Sequence, residues 1–162
     1  MYGLIIRISD ERLTEEDYEF EEDYEDLWLG DQYVEDAEEL DENGMRIWAD
    51  VMNTQVPGLV VDENTGVISV ISKAEYFKIP FESFCKAAEN LSKMSLEAFI
   101  EHRSRVTMKI LLREYDYSND IYVDCDGEVG SLDSWVRSDQ TIEGQPWYIY
   151  GMFEYELKGD LS

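Results

Sequence analysis

Apolar and polar positions along the chain alternate in ways that predict most of its elements. The run YGLIIRI (2–8) is almost continuously apolar and suits a buried strand. Over 59–72, LVVDENTGVISVIS places two apolar runs around Asp62, Asn64 and Gly66, the composition of a hairpin. Pro80 is read as opening a helix in which Phe81, Phe84, Cys85, Ala88 and Leu91 recur at helical spacing, and a second helix is expected from Ser95 with Leu96, Phe99 and Ile100. VTMKILLREY (106–115) and IYVDC (121–125) read as antiparallel strands joined through Ser118, Asn119 and Asp120. In WYIYGMFEYEL (147–157), Trp147, Ile149, Phe153, Tyr155 and Leu157 are expected on one face, with Gly151 a candidate bulge. Runs of strands separated by runs of helices predict an α+β fold: a mixed, mainly antiparallel sheet with helices packed on it. No linker rich in Pro, Gly or Ser divides the 162 residues, so one domain is expected.

The segment TEEDYEFEEDYEDLWLGD (14–31) follows a different rule. Leu13, Phe20 and Leu27 recur every seven residues, and Tyr24 and Trp28 complete a helical face at i+4 and i+8 from Phe20. Thr14 followed by Glu15, Glu16 and Asp17 is a fair N-terminal cap, and Gly30 a plausible stop. A helix is therefore expected over 14–28. Tyr33, Val34, Ala37 and Leu40 suggest a second short helix over 31–40. The alternation of Tyr18 and Phe20 with acids keeps a strand over 16–21 as the alternative. Residues 10–42 are thus expected to be an acidic N-terminal helical segment inserted on the surface.

Charge changes the picture more than any motif. The chain has 38 Asp and Glu against 13 Lys and Arg, a net charge of -25. Residues 10–42 hold 18 of those acids and a single base, Arg12. A halophilic surface would spread the excess, and a disordered acidic tail would lack these aromatic residues. Such a balance excludes ordinary binding to nucleic acid phosphates or to an anionic membrane. No apolar run is long enough to span a bilayer and no secretory leader is recognisable, so a cytoplasmic location is expected. Cys85 and Cys125 lack zinc-ligand or disulfide-framework spacing and are read as reduced, structural thiols.

The inventory for catalysis is thin. The lone histidine, His102, sits in EAFIEHRSR at an expected helix end, where an imidazole is a favourable C-terminal charge. A nucleophilic pair of Cys85 with His102 needs only proximity in space, but FCKAA reads as the apolar face of a helix. Asp124, Asp126 and Glu128 in DCDGEVG resemble the start of a calcium loop, but Gly127 displaces a ligand position and the closing bidentate Glu is missing, so a hairpin turn is the better reading. No phosphate-binding glycine loop or nucleophile elbow occurs. No catalytic, cofactor-binding or metal-ligating residue is assigned.

What remains is charge geometry. From Thr14 to Asp26 there are nine acids in thirteen residues. Along a helix this is roughly one carboxylate per 2.2 Å of axis, against about one phosphate per 1.7 Å of duplex DNA. In composition and charge spacing residues 10–42 resemble the small acidic DNA-mimic inhibitors of phages and mobile elements, including anti-CRISPR and anti-restriction proteins. The resemblance implies a non-enzymatic inhibitor whose partner is a basic nucleic-acid-binding protein such as a defence nuclease, with no direct nucleic acid contact, no membrane and no cofactor. Acids at 15 and 19, 19 and 23, 21 and 25, and 22 and 26 are like-charge i,i+4 pairs, each costing a helix about 0.2–0.5 kcal/mol until a basic surface docks. The candidate partner-binding residues are Glu15, Glu16, Asp17, Glu19, Glu21, Glu22, Asp23, Tyr24, Glu25, Asp26, Trp28, Asp31, Glu35, Asp36, Glu38 and Glu39. An immunity protein against a basic nuclease toxin would use the same electrostatics. A hydrolase using Cys85 or an acid cluster is the third reading.

Overall fold

The apolar run near the C-terminal end becomes a strand of 14 residues, and the sheet is arranged around it. A computed structural model describes residues 2–12, 28–29, 32–101, 117–124 and 127–159. In chain order these form β1 (Tyr2–Ser9), β2 (Trp28–Leu29), β3 (Gln32–Glu39), α1 (Glu42–Gln55), β4 (Leu59–Asp62), β5 (Val67–Val70), α2 (Lys73–Ser92), α3 (Leu96–Ile100), β6 (Ile121–Val123), β7 (Val129–Ser131), α4 (Leu132–Arg137) and β8 (Pro146–Gly159). The sheet runs β2-β3-β8-β1-β6-β7, with β5 on the start of β8 and β4 on β5. Among the described pairings β1 with β6 is parallel and the rest are antiparallel. The fold is α+β with a mixed, mainly antiparallel sheet, and β1, the hairpin of β4 and β5, α3 from its Ser95 cap, and β6 stand where their patterns predict them.

One edge of β8 follows β1 from Tyr148 to Glu156, while the other takes β5 at Pro146 to Tyr148 and β3 from Phe153 to Gly159. At the changeover the Ile149 N–H donates to the Gly66 carbonyl (2.7 Å) and the Leu40 N–H to the Met152 carbonyl (2.9 Å). The register slips at the same place. Arg7 pairs with Gly151 but Ile8 pairs with Ile149, so Tyr150 is an extra residue on β8. The Arg7 guanidinium lies 4.7 Å from the Tyr150 ring centroid. This bulge divides the single face expected for the run. Trp147, Ile149 and Met152 meet the main core, whereas Tyr155 is buried outside that cluster.

The main core joins Ile6 and Ile8 of β1 to Trp48 and Met52 of α1, Val61, Ile68 and Val70 of the hairpin, Tyr76 of α2, and Trp135 of α4. Burying each such side chain stabilises by about 1.5–3 kcal/mol. Alternate burial along β4 and β5 marks half-buried strands. Asp41 caps α1 by accepting from the Gly44 N–H (2.7 Å), which aims Trp48 and Met52 inward. Trp48 Nε1 then donates to Asp120 Oδ2 (2.9 Å), tying α1 to the start of β6.

The helix expected over 31–40 is not formed, because these residues supply β3. Glu35 and Glu39 would be a like-charge i,i+4 pair on a helix, whereas β8 offers an open row of backbone partners. The surface insertion expected for 10–42 is corrected here, since β3 is part of the sheet. Trp28, expected at the end of the first helix, lies in β2 opposite Tyr33. The rest of the helix expected over 14–28, the strand alternative over 16–21 and the strand expected over 106–115 lie outside the described residues.

The helix expected to open at Pro80 starts instead at Lys73, where the Ser72 hydroxyl accepts from the Glu75 N–H (3.2 Å). Pro80 is interior and has no N–H, so the Tyr76 carbonyl loses its helical donor. The Tyr117 hydroxyl donates to that carbonyl (3.2 Å), and the two rings meet edge to face at 5.1 Å. Gly58 fixes the approach of α2 to the hairpin: its φ is 73°, its carbonyl accepts from Ile71 N (2.7 Å) and Ser72 N (3.2 Å), and a Cβ there would lie 2.2 Å from the Ser72 carbonyl oxygen.

Tyr117→Phe keeps the ring and removes the donor, and is expected to cost about 1–2 kcal/mol in urea unfolding. An unchanged midpoint would show that the Tyr76 carbonyl is satisfied without that hydroxyl. Gly58→Ala combines an unfavourable φ with a backbone clash, and is expected to cost roughly 3 kcal/mol or more by the same measurement.

Candidate acidic interaction surface

β3 brings Glu35, Asp36, Glu38 and Glu39 into the sheet, and its pairing determines their neighbours. Val34 stands opposite Leu157 and Asp36 opposite Glu156, which leaves Glu35 as the extra residue of a second bulge. Glu38 stands opposite Glu154. Directly opposed residues have Cβ atoms about 4.5–5.5 Å apart, and residues two apart share a face. Asp36, Glu38, Glu154 and Glu156 therefore occupy one face of two adjacent strands. The next strand adds no positive charge, since β1 sets Leu4 opposite Glu154 and Tyr2 opposite Glu156.

Glu38, Glu39 and Glu154 are exposed and Glu156 is half-buried. The two ion pairs described, Lys93 with Glu89 and Arg137 with Asp133, involve none of them. The acidic run continues around the corner into α1, where Asp41 and Glu42 are also exposed. Glu42 lies in the first turn, where the helix dipole favours a negative charge. Arg46, the nearest base in sequence, bonds Asn43 (2.6 Å).

Acids on an exposed edge have a purely structural use, since they discourage pairing with another sheet. That accounts for charge on β3, which beyond the two residues of β2 is flanked by no described strand. It does not account for Glu154 and Glu156, which lie on β8 between β3 and β1. Like charges directly opposed weaken a sheet pair by a few tenths to about 1 kcal/mol, and lysine at either position would have removed the cost.

Of the residues expected to contact a partner, the structure places Glu35, Asp36, Glu38 and Glu39 together on β3, with Trp28 in β2 beside it. Glu15, Glu16, Asp17, Glu19, Glu21, Glu22, Asp23, Tyr24, Glu25, Asp26 and Asp31 lie outside the described residues. Sequence reasoning missed Glu154 and Glu156. Their signal was alternation with Phe153 and Tyr155, but only the register of β8 against β3 shows which acids they meet.

The other candidate chemistry falls elsewhere. Asp124 Oδ1 accepts from the Glu128 N–H (2.9 Å), Asp124 N donates to the Glu128 carbonyl (3.0 Å) and Gly127 has φ 80°, so this stretch is the expected hairpin turn, between β6 and β7. Beside it is a cleft of about 240 Å³ lined by Tyr122, Trp135, Trp147, Ser134 and Thr141. Ser134 Oγ donates to the Ser131 carbonyl (2.9 Å) and Thr141 Oγ1 to the Trp135 carbonyl (2.6 Å), whereas the buried Tyr122 hydroxyl and Trp135 Nε1 have no hydrogen-bond partner. Burial raises the pKa of Asp120, against side-chain hydrogen bonds from Ser118 and Trp48 that lower it. Asp120 does not line that cleft. Cys85, expected to be a structural thiol on a packed helix face, is free and exposed on α2. His102 lies outside the described residues.

Comparison with known proteins finds no family model, no curated protein and no solved structure that matches the chain. No helix among the described residues is long and apolar enough to cross a membrane.

Glu154→Lys converts repulsion across β3 and β8 into attraction, and is expected to stabilise the protein by about 0.5–1 kcal/mol in low salt. The gain should shrink as ionic strength rises. Destabilisation at every salt concentration would mean that Glu154 makes a favourable contact on the sheet.

Proposed function

We propose that the protein is a non-enzymatic acidic inhibitor that occupies the basic, nucleic-acid-binding channel of a target protein in the cytoplasm, in the manner of DNA-mimic anti-CRISPR and anti-restriction proteins. The observation that carries this reading is the pairing of Glu38 with Glu154 and of Asp36 with Glu156 across two hydrogen-bonded strands. Four carboxylate positions on a rigid sheet form a fixed array. A surface built for solubility has no need to align its charges face to face at a cost in stability. An array of Lys and Arg evolved to hold phosphates removes that cost on docking. The acids of residues 10–31 precede this array in sequence. Inhibition follows by competitive exclusion, because two polyanions cannot share one channel.

The test uses nucleic-acid-binding proteins captured on the immobilised protein in low salt, with affinity measured across a salt series. Reversing Glu38, Glu154 and Glu156 to Lys is expected to weaken binding by roughly 100-fold or more, since close interfacial charge pairs carry coupling energies of about 1.5 kcal/mol upward. Reversing the exposed Glu63, Glu97 and Asp139 as a control set should have far less effect, because screening over about 8 Å confines strong interaction to the contact. Duplex DNA should displace the protein from its target. Equal losses from the two sets, or DNA binding to the complex without displacement, would overturn the reading.

A further inference from the structure

The cleft beside the turn between β6 and β7 is walled by aromatic rings. Tyr122 of β6 and Trp135 of α4 line it with ring planes 7° apart and centroids at 5.9 Å, and Trp147 of β8 meets Trp135 edge to face at 5.7 Å. The turn brings Asp124 and Glu128 to the same cleft. Local sequence builds these walls. The Ser131 hydroxyl accepts from the Ser134 N–H (3.1 Å) to start α4, and Gly130 lets that helix approach β7, since a Cβ there would lie 2.6 Å from Ser134 Oγ. Thr141 Oγ1, donating to the Trp135 carbonyl, holds the chain after α4 against it.

Charge is the first guide to what enters. Among the described residues the lining holds two carboxylates and no Lys or Arg. Lys73 Nζ donates to the Ser138 carbonyl (2.9 Å) and Arg137 Nη2 to Asp133 Oδ2 (3.1 Å), and neither side chain lines the cleft. Glu128 is exposed and takes part in neither described ion pair. Aromatic faces beside carboxylates attract a cation twice, through the ring quadrupole and through charge. A phosphate would meet carboxylates there.

The second guide is an unmet hydrogen bond. The Tyr122 hydroxyl and Trp135 Nε1 are buried without a partner, a costly state that native proteins keep rare. An indole N–H only donates, so its partner must be an acceptor. An anionic acceptor would be repelled by Asp124 and Glu128, which leaves a neutral one on the same molecule as the cation. A hydroxyl serves, because it accepts from Trp135 and can also bond the Tyr122 hydroxyl. The volume of about 240 Å³ falls below the roughly 300–1,000 Å³ of pockets for drug-sized ligands, so the molecule is small.

We infer that this cleft binds a small, unphosphorylated amino alcohol, its ammonium group among the rings of Tyr122, Trp135 and Trp147 beside Asp124 and Glu128, and its hydroxyl toward Trp135 Nε1. The inference is independent of the reading of the acidic sheet.

Isothermal titration calorimetry of the full chain tests it at physiological salt, where long-range attraction of cations to a net charge of -25 is screened. Choline is the probe, tetramethylammonium the cation without a hydroxyl, and the tert-butyl isostere of choline its uncharged form. Choline is expected to saturate one site with a dissociation constant of about 1 mM or below, and both analogues to bind roughly fivefold or more weakly. Glu128→Gln should weaken both cations roughly threefold, whereas Glu63→Gln, exposed on the turn between β4 and β5, should change neither. Trp135→Phe, checked for native packing by near-UV circular dichroism, should weaken choline roughly fivefold more than it weakens tetramethylammonium. Absence of saturable choline binding up to about 10 mM overturns the inference. So does an isostere or phosphocholine that binds as tightly as choline, or choline binding that Glu128→Gln leaves unchanged, which would mark adventitious attraction to an acidic chain.

Discussion

Fourteen consecutive residues of β8 must find hydrogen-bond partners on two edges, and how they do so determines where the other elements lie. β1 satisfies one edge almost throughout. The other edge is shared by β5 and β3, separated in sequence by α1 and β4, so β8 holds together parts of the chain that would otherwise have no contact. The changeover falls at the bulge of Tyr150. An extra residue there re-aims the strand: Trp147 and Met152 both reach the main core, and Tyr155 turns to the opposite face. Gly3 stands opposite Tyr155, and a Cβ there would lie 2.8 Å from the Tyr155 hydroxyl, so the ring depends on that small neighbour.

Local patterns foretold the elements whose stability is local. YGLIIRI, the hairpin around Asn64 and Gly66, and the Ser95 cap each announce themselves within a few residues. The failures lie where a distant partner decides. Residues 32–39 carry a helical spacing of apolar side chains, and only the free edge of β8 makes the strand win. Gly30-Asp31 between LWL and QYV was a legible hairpin signal that the helical reading overrode. The helix start expected at Pro80 fails because an interior proline is tolerable where the orphaned carbonyl finds another donor, and the Tyr76 carbonyl finds it in Tyr117, 41 positions away. The acidic surface was half legible for the same reason. Its β3 members stand in a visible acidic run, while Glu154 and Glu156 join it only through register.

Concentrating carboxylates on a sheet is tolerable because the opposing terms differ in size. Two charges 5 Å apart in water repel by about 0.8 kcal/mol, less once salt screens them. A single buried side chain such as Met152, two residues before Glu154 on the same strand, contributes about 1.5–3 kcal/mol. The core therefore holds the strands together against their own charge. The repulsion stays as a small stored term that nearby positive charge would relieve. In the proposed function a basic channel would surround the same carboxylates with desolvated Lys and Arg, where charge pairs are worth several times more than in water.

Segregation of charge is what lets one small chain present two surfaces of different physics. Acids crowd β3, β8 and the start of α1, while α2 holds Lys73, Lys78 and Lys86 against Glu75, Glu82 and Glu89 and is neutral. A lysine placed at Glu154 would relieve the repulsion across the sheet. Salt acts first on the carboxylates of the sheet, whose mutual repulsion it screens.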